Sequence, residues 1–136
     1  MKSNIPLVNT NDEIIGIAEK MEVHQKGLLH RAFSILIVDN GKMLIHKRAL
    51  HKYHSAGLWT NACCGHPIEF EDMDTAVHRR LQEEMGFDCG LQYIGKFQYC
   101  AALENGLIEN EIDHVYLGEY NKKIQPDPEE VAEFEW

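Results

Sequence analysis

The sequence predicts a mixed β-sheet carrying at least one packed helix, in the α/β or α+β range, and three observations predict it. Residues 72–85 place Met73, Val77, Leu81 and Met85 four apart, one apolar stripe along a helix. Residues 31–39 and 42–47 are strand-like runs joined by Asn40-Gly41, a dipeptide suited to the two positive-φ positions of a tight hairpin turn. Residues 91–103 and 111–120 have strand-like content, with a turn near Glu104-Asn105-Gly106.

Taken in order, residues 5–9 and 14–18 flank the turn-like Asn9-Thr10-Asn11-Asp12 and predict a first hairpin. The Asn40-Gly41 hairpin follows. Residues 59–64 read as a further strand. The helix over 72–85 has an Asp to cap its start and Gly86 to end it, since glycine takes the left-handed conformation a helix terminus favours. After the two later strands, Gln125-Pro126-Asp127-Pro128 reads as a loop, and residues 131–136 begin a last strand.

Composition limits the functions available. A chain of 136 residues with 44% hydrophobic content suits one compact domain. No apolar run approaches transmembrane length, and the polar start Met1-Lys2-Ser3-Asn4 lacks the order of a secretory leader, so a cytosolic location is expected. Cys63, Cys64, Cys89 and Cys100 lack zinc-ribbon or redox spacing and are expected as free thiols. A net charge of -9 argues against a nucleic-acid partner, and nothing points to a membrane. Any bound anion must meet a local basic cluster or a metal.

The run Trp59-Thr60-Asn61-Ala62-Cys63-Cys64-Gly65-His66-Pro67 is the richest in chemistry. On a strand the side chains alternate, so Cys64 and His66 share one face and Cys63 takes the other. Cys63, Cys89 and Cys100 are expected as small buried hydrophobes. For Cys64, a metal-bound imidazole two residues away and the following helix N-terminus would favour a thiolate, while burial would oppose it. Glu109 and Glu111 also lie two apart, a pair of carboxylates facing one way on an extended segment.

From Gly65, five residues lead to Glu71 and seven more to Arg79-Arg80-Leu81-Gln82-Glu83-Glu84-Met85-Gly86-Phe87. This resembles the Nudix box, with Arg80 where the box has glutamate. With Trp-Thr-Asn ahead of Cys-Gly-His-Pro, and with Glu109-Asn110-Glu111, the chain resembles the type I isopentenyl-diphosphate isomerases, Nudix-fold enzymes that are not hydrolases. That resemblance implies an α/β/α sandwich with a mixed sheet, formed by residues 1–136 as one domain. Family members usually continue past the position of Trp136 into a helical segment that covers the carbocation, so the resemblance also implies a C-terminally shortened chain with reduced competence.

The resemblance further implies a divalent metal (manganese, zinc or magnesium) on His24, His30, His66, Glu109 and Glu111. A magnesium ion would join with the substrate diphosphate at Glu84. Lys20, Arg48, Lys52 and Arg80 match diphosphate-contacting positions, and Tyr99 matches a tyrosine near the catalytic glutamate. His46, His51, His54, His78 and His114 match nothing and are expected as surface or satisfied core residues. The implied reaction turns isopentenyl diphosphate into dimethylallyl diphosphate, with Cys64 and Glu111 as the acid/base pair flanking the carbon skeleton. Two alternatives stand beside it. Glu83-Glu84 would also serve a Nudix hydrolase of a nucleoside diphosphate derivative, and a non-catalytic diphosphate-binding relative would keep the fold alone. At helical spacing, Arg79 with Glu83 and Arg80 with Glu84 could equally be ordinary surface ion pairs.

Overall fold

A computed structural model of the chain describes residues 4–136. Residues 1–3, read above against a secretory leader, lie outside the described residues. The first hairpin is present as β1 (Asn4–Val8) and β2 (Ile14–Glu19), paired antiparallel. The chain then enters α1 (Lys20–Lys26) and the long strand β3 (His30–Asp39). Asn40 and Gly41 both have positive φ, as the hairpin signal requires, and lead into β4 (Lys42–Met43) and β5 (Ile45–Arg48). There follow β6 (Trp59–Thr60), β7 (Cys63–Gly65), α2 (Met73–Met85), β8 (Leu91–Ala102), a 3₁₀ turn (Glu104–Gly106), β9 (Ile108–Glu119) and β10 (Val131–Glu135).

Two sheets result. The larger runs β2-β1-β3-β9-β8, with β4 and β7 also paired to β3, and the smaller runs β10-β5-β6. The large sheet is mixed because β3 and β9 are parallel while β8 and β9 are antiparallel. Its central strand explains the core. Phe33, Ile35 and Ile37 alternate along β3, are at most 1% exposed, and meet Ala76, Val77, Leu81 and Met85 of α2. Asp72 caps α2 by accepting from the Thr75 amide at 2.7 Å. Gly86, at φ 73°, closes it with a bond to the Gln82 carbonyl. The chain returns at 125–127 to satisfy two more helix-end groups, Gln125 donating to Met85 O at 3.0 Å and Asp127 to Glu84 O at 2.9 Å.

Some expectations change. Helix α1 carries no clear apolar stripe and is missed by periodicity. It forms on local caps, with the Glu19 carboxylate accepting from the Met21 and Glu22 amides and Gly27 left-handed at φ 67°. The expected arm 42–47 divides between the sheets, because Leu44 is fully buried and its amide donates to Ile37 O at 2.8 Å. The expected strand 59–64 breaks at Asn61 and Ala62, whose carbonyls accept from His46 Nδ1 at 2.8 and 3.1 Å. His46 is thus the satisfied core histidine expected of it. Cys100 is exposed, not buried, because both faces of β8 are largely open, whereas Cys63 lies in the core and Cys89 is half-buried against it. Among the described residues no helix is long and apolar enough to cross a membrane.

We expect Gly86→Ala to cost about 2 kcal/mol or more, since an added Cβ would lie 2.1 Å from Gln125 O on a left-handed backbone. Gly41→Ala, at φ 78° with nothing within 4 Å, should cost only about 1 kcal/mol. Urea unfolding midpoints distinguish the two, and equal losses would refute the steric reading.

Candidate active site

Sheet register assembles the centre of the site. His30 on β3 is the partner of Glu111 on β9, and Glu111 is in turn the partner of Tyr99 on β8, so the three form one row across the strands. Tyr99 donates its hydroxyl toward both Glu111 and Glu109, the latter at 3.0 Å. His24 enters from α1 and His66 from the residues after β7. The rings of His24, His30 and His66 converge, with centroids 5.2 Å (24 to 30), 5.5 Å (24 to 66) and 4.9 Å (30 to 66) apart.

Two of the imidazoles are held in one tautomer. His24 Nδ1 lies 2.8 Å from Lys20 O and His30 Nδ1 lies 2.9 Å from Leu28 O. A carbonyl only accepts, so each Nδ1 carries the proton and each Nε2 presents its lone pair. Those two Nε2 atoms are buried without a hydrogen-bond partner. Burial lowers the pKa of His24, and lowers that of His66 to about 3, so both are neutral at ordinary pH. Burial alone would raise Glu111, but the His30 and His66 rings and the Tyr99 hydroxyl beside it hold its carboxyl well below the usual range. Orphaned imidazole nitrogens beside an ionised carboxylate fit a divalent metal, and the donor atoms of His24, His30 and His66 all lie within 4.8 Å of one another.

A second group satisfies the same criterion: His24, His54 and Glu109. His54, expected as a bland residue, is therefore a site residue that sequence reasoning missed. Its signal was weak, since it lies in the loop between β5 and β6 with no motif around it.

Cys64 forms one wall. Strand β7 pairs Ser34 with Cys64 and Ile35 with Cys63, so Cys63 packs into the core while Cys64 lines the cavity. Its thiol meets Asn61 Oδ1 at 3.0 Å, with the Ser34 and Thr60 hydroxyls each 3.9 Å away. Burial pushes the thiol up to about 12 against the opposing pull of these neighbours. The helix N-terminus gives the thiolate no support, because α2 begins only at Met73.

The cavity also carries cations. Lys20, Arg48, Lys52 and Arg80 line the same cavity of about 380 Å³, together with Glu84 and Glu130. Lys52 bonds Glu130 at 2.6 Å, and Arg80 pairs with Glu84 and with Glu83, the latter at 2.8 Å. The pair with the largely buried Glu84 is thus no ordinary surface ion pair. Burial raises the pKa of Glu84 while Arg80 opposes the rise. Glu71 of the box is engaged elsewhere, accepting from Arg79 at 2.6 and 2.9 Å. Arg80 passes close to Gly65, where an added Cβ would lie 2.9 Å from the Phe33 ring and 3.5 Å from Arg80 Cγ. His66, Tyr99, Glu109, Glu111 and Trp59 also line the cavity.

Known proteins resemble the chain in sequence and in fold. The Nudix domain matches residues 28–136. The chain is 53% identical over 137 residues to isopentenyl-diphosphate Delta-isomerase 2 of Photorhabdus laumondii, covering 100% of this chain and 77% of the relative. It is 50% identical over 137 residues to isopentenyl-diphosphate Delta-isomerase of Burkholderia multivorans, covering 100% and 78%. Among solved structures, a protein from Deinococcus radiodurans shares the fold at a TM-score of 0.80 with 16% identity, over 98% of this chain and 82% of that one. The MutT protein of Methanosarcina mazei follows at 0.67 with 20% identity, over 79% and 75%.

Two outcomes are expected. Brief iodoacetamide treatment of the folded protein at pH 8, mapped by mass spectrometry, should label exposed Cys100 and spare Cys64, whose thiol stays protonated. Rapid labelling of Cys64 would contradict a buried thiol. After chelation, the protein should take up a divalent ion with an affinity that His24→Ala or His30→Ala weakens roughly 10–100-fold or more, read by competition with a metal indicator.

Proposed function

The chain belongs to the Nudix family, and within it to the isopentenyl-diphosphate Delta-isomerases, and we propose that its cavity converts isopentenyl diphosphate into dimethylallyl diphosphate. The observation that carries this reading is one cavity that holds a protonated thiol, Cys64, an ionised carboxylate, Glu111, and the cations Lys20, Arg48, Lys52 and Arg80. Hydrolysis of a phosphate ester has no use for the thiol, and Arg80 stands where the hydrolase box has its glutamate. Free cysteines suit a reducing, cytosolic compartment. The acidic chain is read as acting on a small diphosphate, with no nucleic acid or membrane as partner, and residues 1–136 as one domain.

In this reading Lys20, Arg48, Lys52 and Arg80 receive the diphosphate, which neutralises cations that otherwise crowd one another; Lys20 is already depressed by burial and by Lys52 and Arg80. Glu84 would hold a magnesium ion brought in by the diphosphate, offsetting the cost of its burial. The hydrocarbon end then reaches Cys64 and Glu111. The alkene is a weak base, so its terminal carbon needs a proton delivered at close range, and the tertiary cation that forms must lose one from C2. At rest the pair holds one transferable proton on Cys64 and one vacant site on Glu111. Donation by the thiol to the terminal carbon and removal of the C2 proton by the carboxylate complete the shift. A proton passing back from Glu111 to the sulfur restores the resting state. Tyr99, donating to both glutamates, orients the Glu111 carboxylate. His24, His30, His66, Glu109 and Glu111 would hold manganese, zinc or magnesium, which when bound supplies positive charge that tunes the acidity of Glu111. Trp59 offers an aromatic face near the cation.

Cys64→Ala should abolish isomerisation of isopentenyl diphosphate, whereas Cys63→Ala should retain it with stability lowered by about 1 kcal/mol. Equal activity losses in two folded variants would defeat the assignment. Glu84→Gln should raise the magnesium concentration needed for half-maximal turnover. An unchanged requirement would remove Glu84 from that role.

A further inference from the structure

We propose that Asn61 is a positioning residue for Cys64, its side-chain amide accepting the thiol proton at rest and turning over to donate to the sulfur once that proton has gone. The inference rests on the acid role proposed for Cys64 and adds a residue that this role does not include.

The break between β6 and β7 carries it. On a continuous strand, residues three apart face opposite ways and lie ~10 Å apart. Asn61 and Cys64 are three apart, yet Cys64 Sγ donates to Asn61 Oδ1 at 3.0 Å. The interruption at Asn61 and Ala62 makes this contact possible, and its shape is held from β5. His46 is 3% exposed and stands opposite Thr60 in the small sheet. It shares its Nδ1 proton between the carbonyls of Asn61 and Ala62, at 2.8 and 3.1 Å, satisfying two acceptors that the break takes out of the ladder.

Asn61 suits both states of the sulfur. The thiol donates, whereas the thiolate left after protonation of the alkene only accepts. Ser34 Oγ, 3.9 Å from the sulfur, already donates its proton to Asp113 at 2.6 Å. Thr60 Oγ1 is also 3.9 Å away. Asn61 is nearer than both, and its amide carries a carbonyl acceptor and an N–H donor on one planar group, so a half-turn about χ2 exchanges them. The turn neither gains nor loses a proton. The thiol proton passes to the terminal carbon, the amide N–H then faces the sulfur anion, and the proton returned by Glu111 lets the amide turn back. A hydrogen bond to an ionised partner is stronger than one to a neutral partner, so the amide favours the charged state over the resting one. Ser34, Thr60 and Cys64 line the cavity and Asn61 is not among its lining residues, so its effect falls on proton transfer and not on substrate binding.

The infrared S–H stretch reads the resting contact. The Cys64 band, isolated by subtracting the spectrum of the matching Cys64→Ala protein, should lie at lower frequency in the wild-type chain than in Asn61→Ala, where the acceptor is gone. Asn61→Ala should also lower kcat roughly 10–100-fold, with the KM for isopentenyl diphosphate little changed. Asn61→Asp, whose carboxylate accepts but does not donate, should keep the low-frequency band and still lose kcat. His46→Leu should raise the band as Asn61→Ala does, and His46→Asn, which restores an N–H near the Nδ1 position, should bring it back. A band that stays in place in Asn61→Ala, or wild-type kcat in either Asn61 variant, would overturn the proposal. Asn61→Asp and the His46 pair decide it if Asn61→Ala does not fold. Turnover by Cys64→Ala would overturn the acid role and this inference with it, whereas an inactive Cys64→Ala beside a fully active Asn61→Ala overturns the inference alone.

Discussion

The register between β3, β9 and β8 is the constraint on which the site depends. Parallel pairing sets His30 opposite Glu111, and antiparallel pairing sets Tyr99 opposite the same glutamate. A slip of one residue in either ladder would turn these side chains to the other face. The register is protected by the core, because the same β3 strand buries Phe33, Ile35 and Ile37 against α2 on its opposite face. Core packing and ligand placement are thus two faces of one strand.

Burial then assigns protonation states. It keeps the His24 and His66 rings neutral and the Cys64 thiol protonated. Glu111 goes the other way because the two imidazoles and the Tyr99 hydroxyl beside it outweigh its desolvation. The cavity therefore holds a proton donor and an acceptor at neutral pH, each set by its own surroundings. Asp113, two residues past Glu111, shows what such a carboxyl does without the imidazoles. With only the Ser34 hydroxyl as donor, at 2.6 Å, burial pushes it up to about 6.

Much of this was legible in the sequence because its signals are local. The stripe of α2, its Asp72 and Gly86 ends, the Asn40-Gly41 turn and the opposed faces of Cys63 and Cys64 each follow from a few adjacent residues. Helix α1 was not legible, since seven residues on local caps leave no periodicity. The division at Leu44 depends on a long-range choice between two sheets. The candidate ligands were grouped by resemblance to a family, and spacing alone would not have joined α1, β3 and β9. His54 escaped because its place beside His24 and Glu109 is created by the fold and leaves no trace in neighbouring residues.

Gly65 has a role that its unremarkable backbone conceals. Helix α2 packs on the face of β3 that carries Phe33, and Phe33, Gly65 and Arg80 all line the cavity. An added Cβ at Gly65 would lie 2.9 Å from the Phe33 ring and 3.5 Å from Arg80 Cγ, so the absent side chain leaves room for both. Arg80 of α2 and the imidazoles of α1 and β3 thus come from separate elements, with the gap at Gly65 beside the arginine. Any side chain larger than hydrogen at position 65 would have to displace the Phe33 ring.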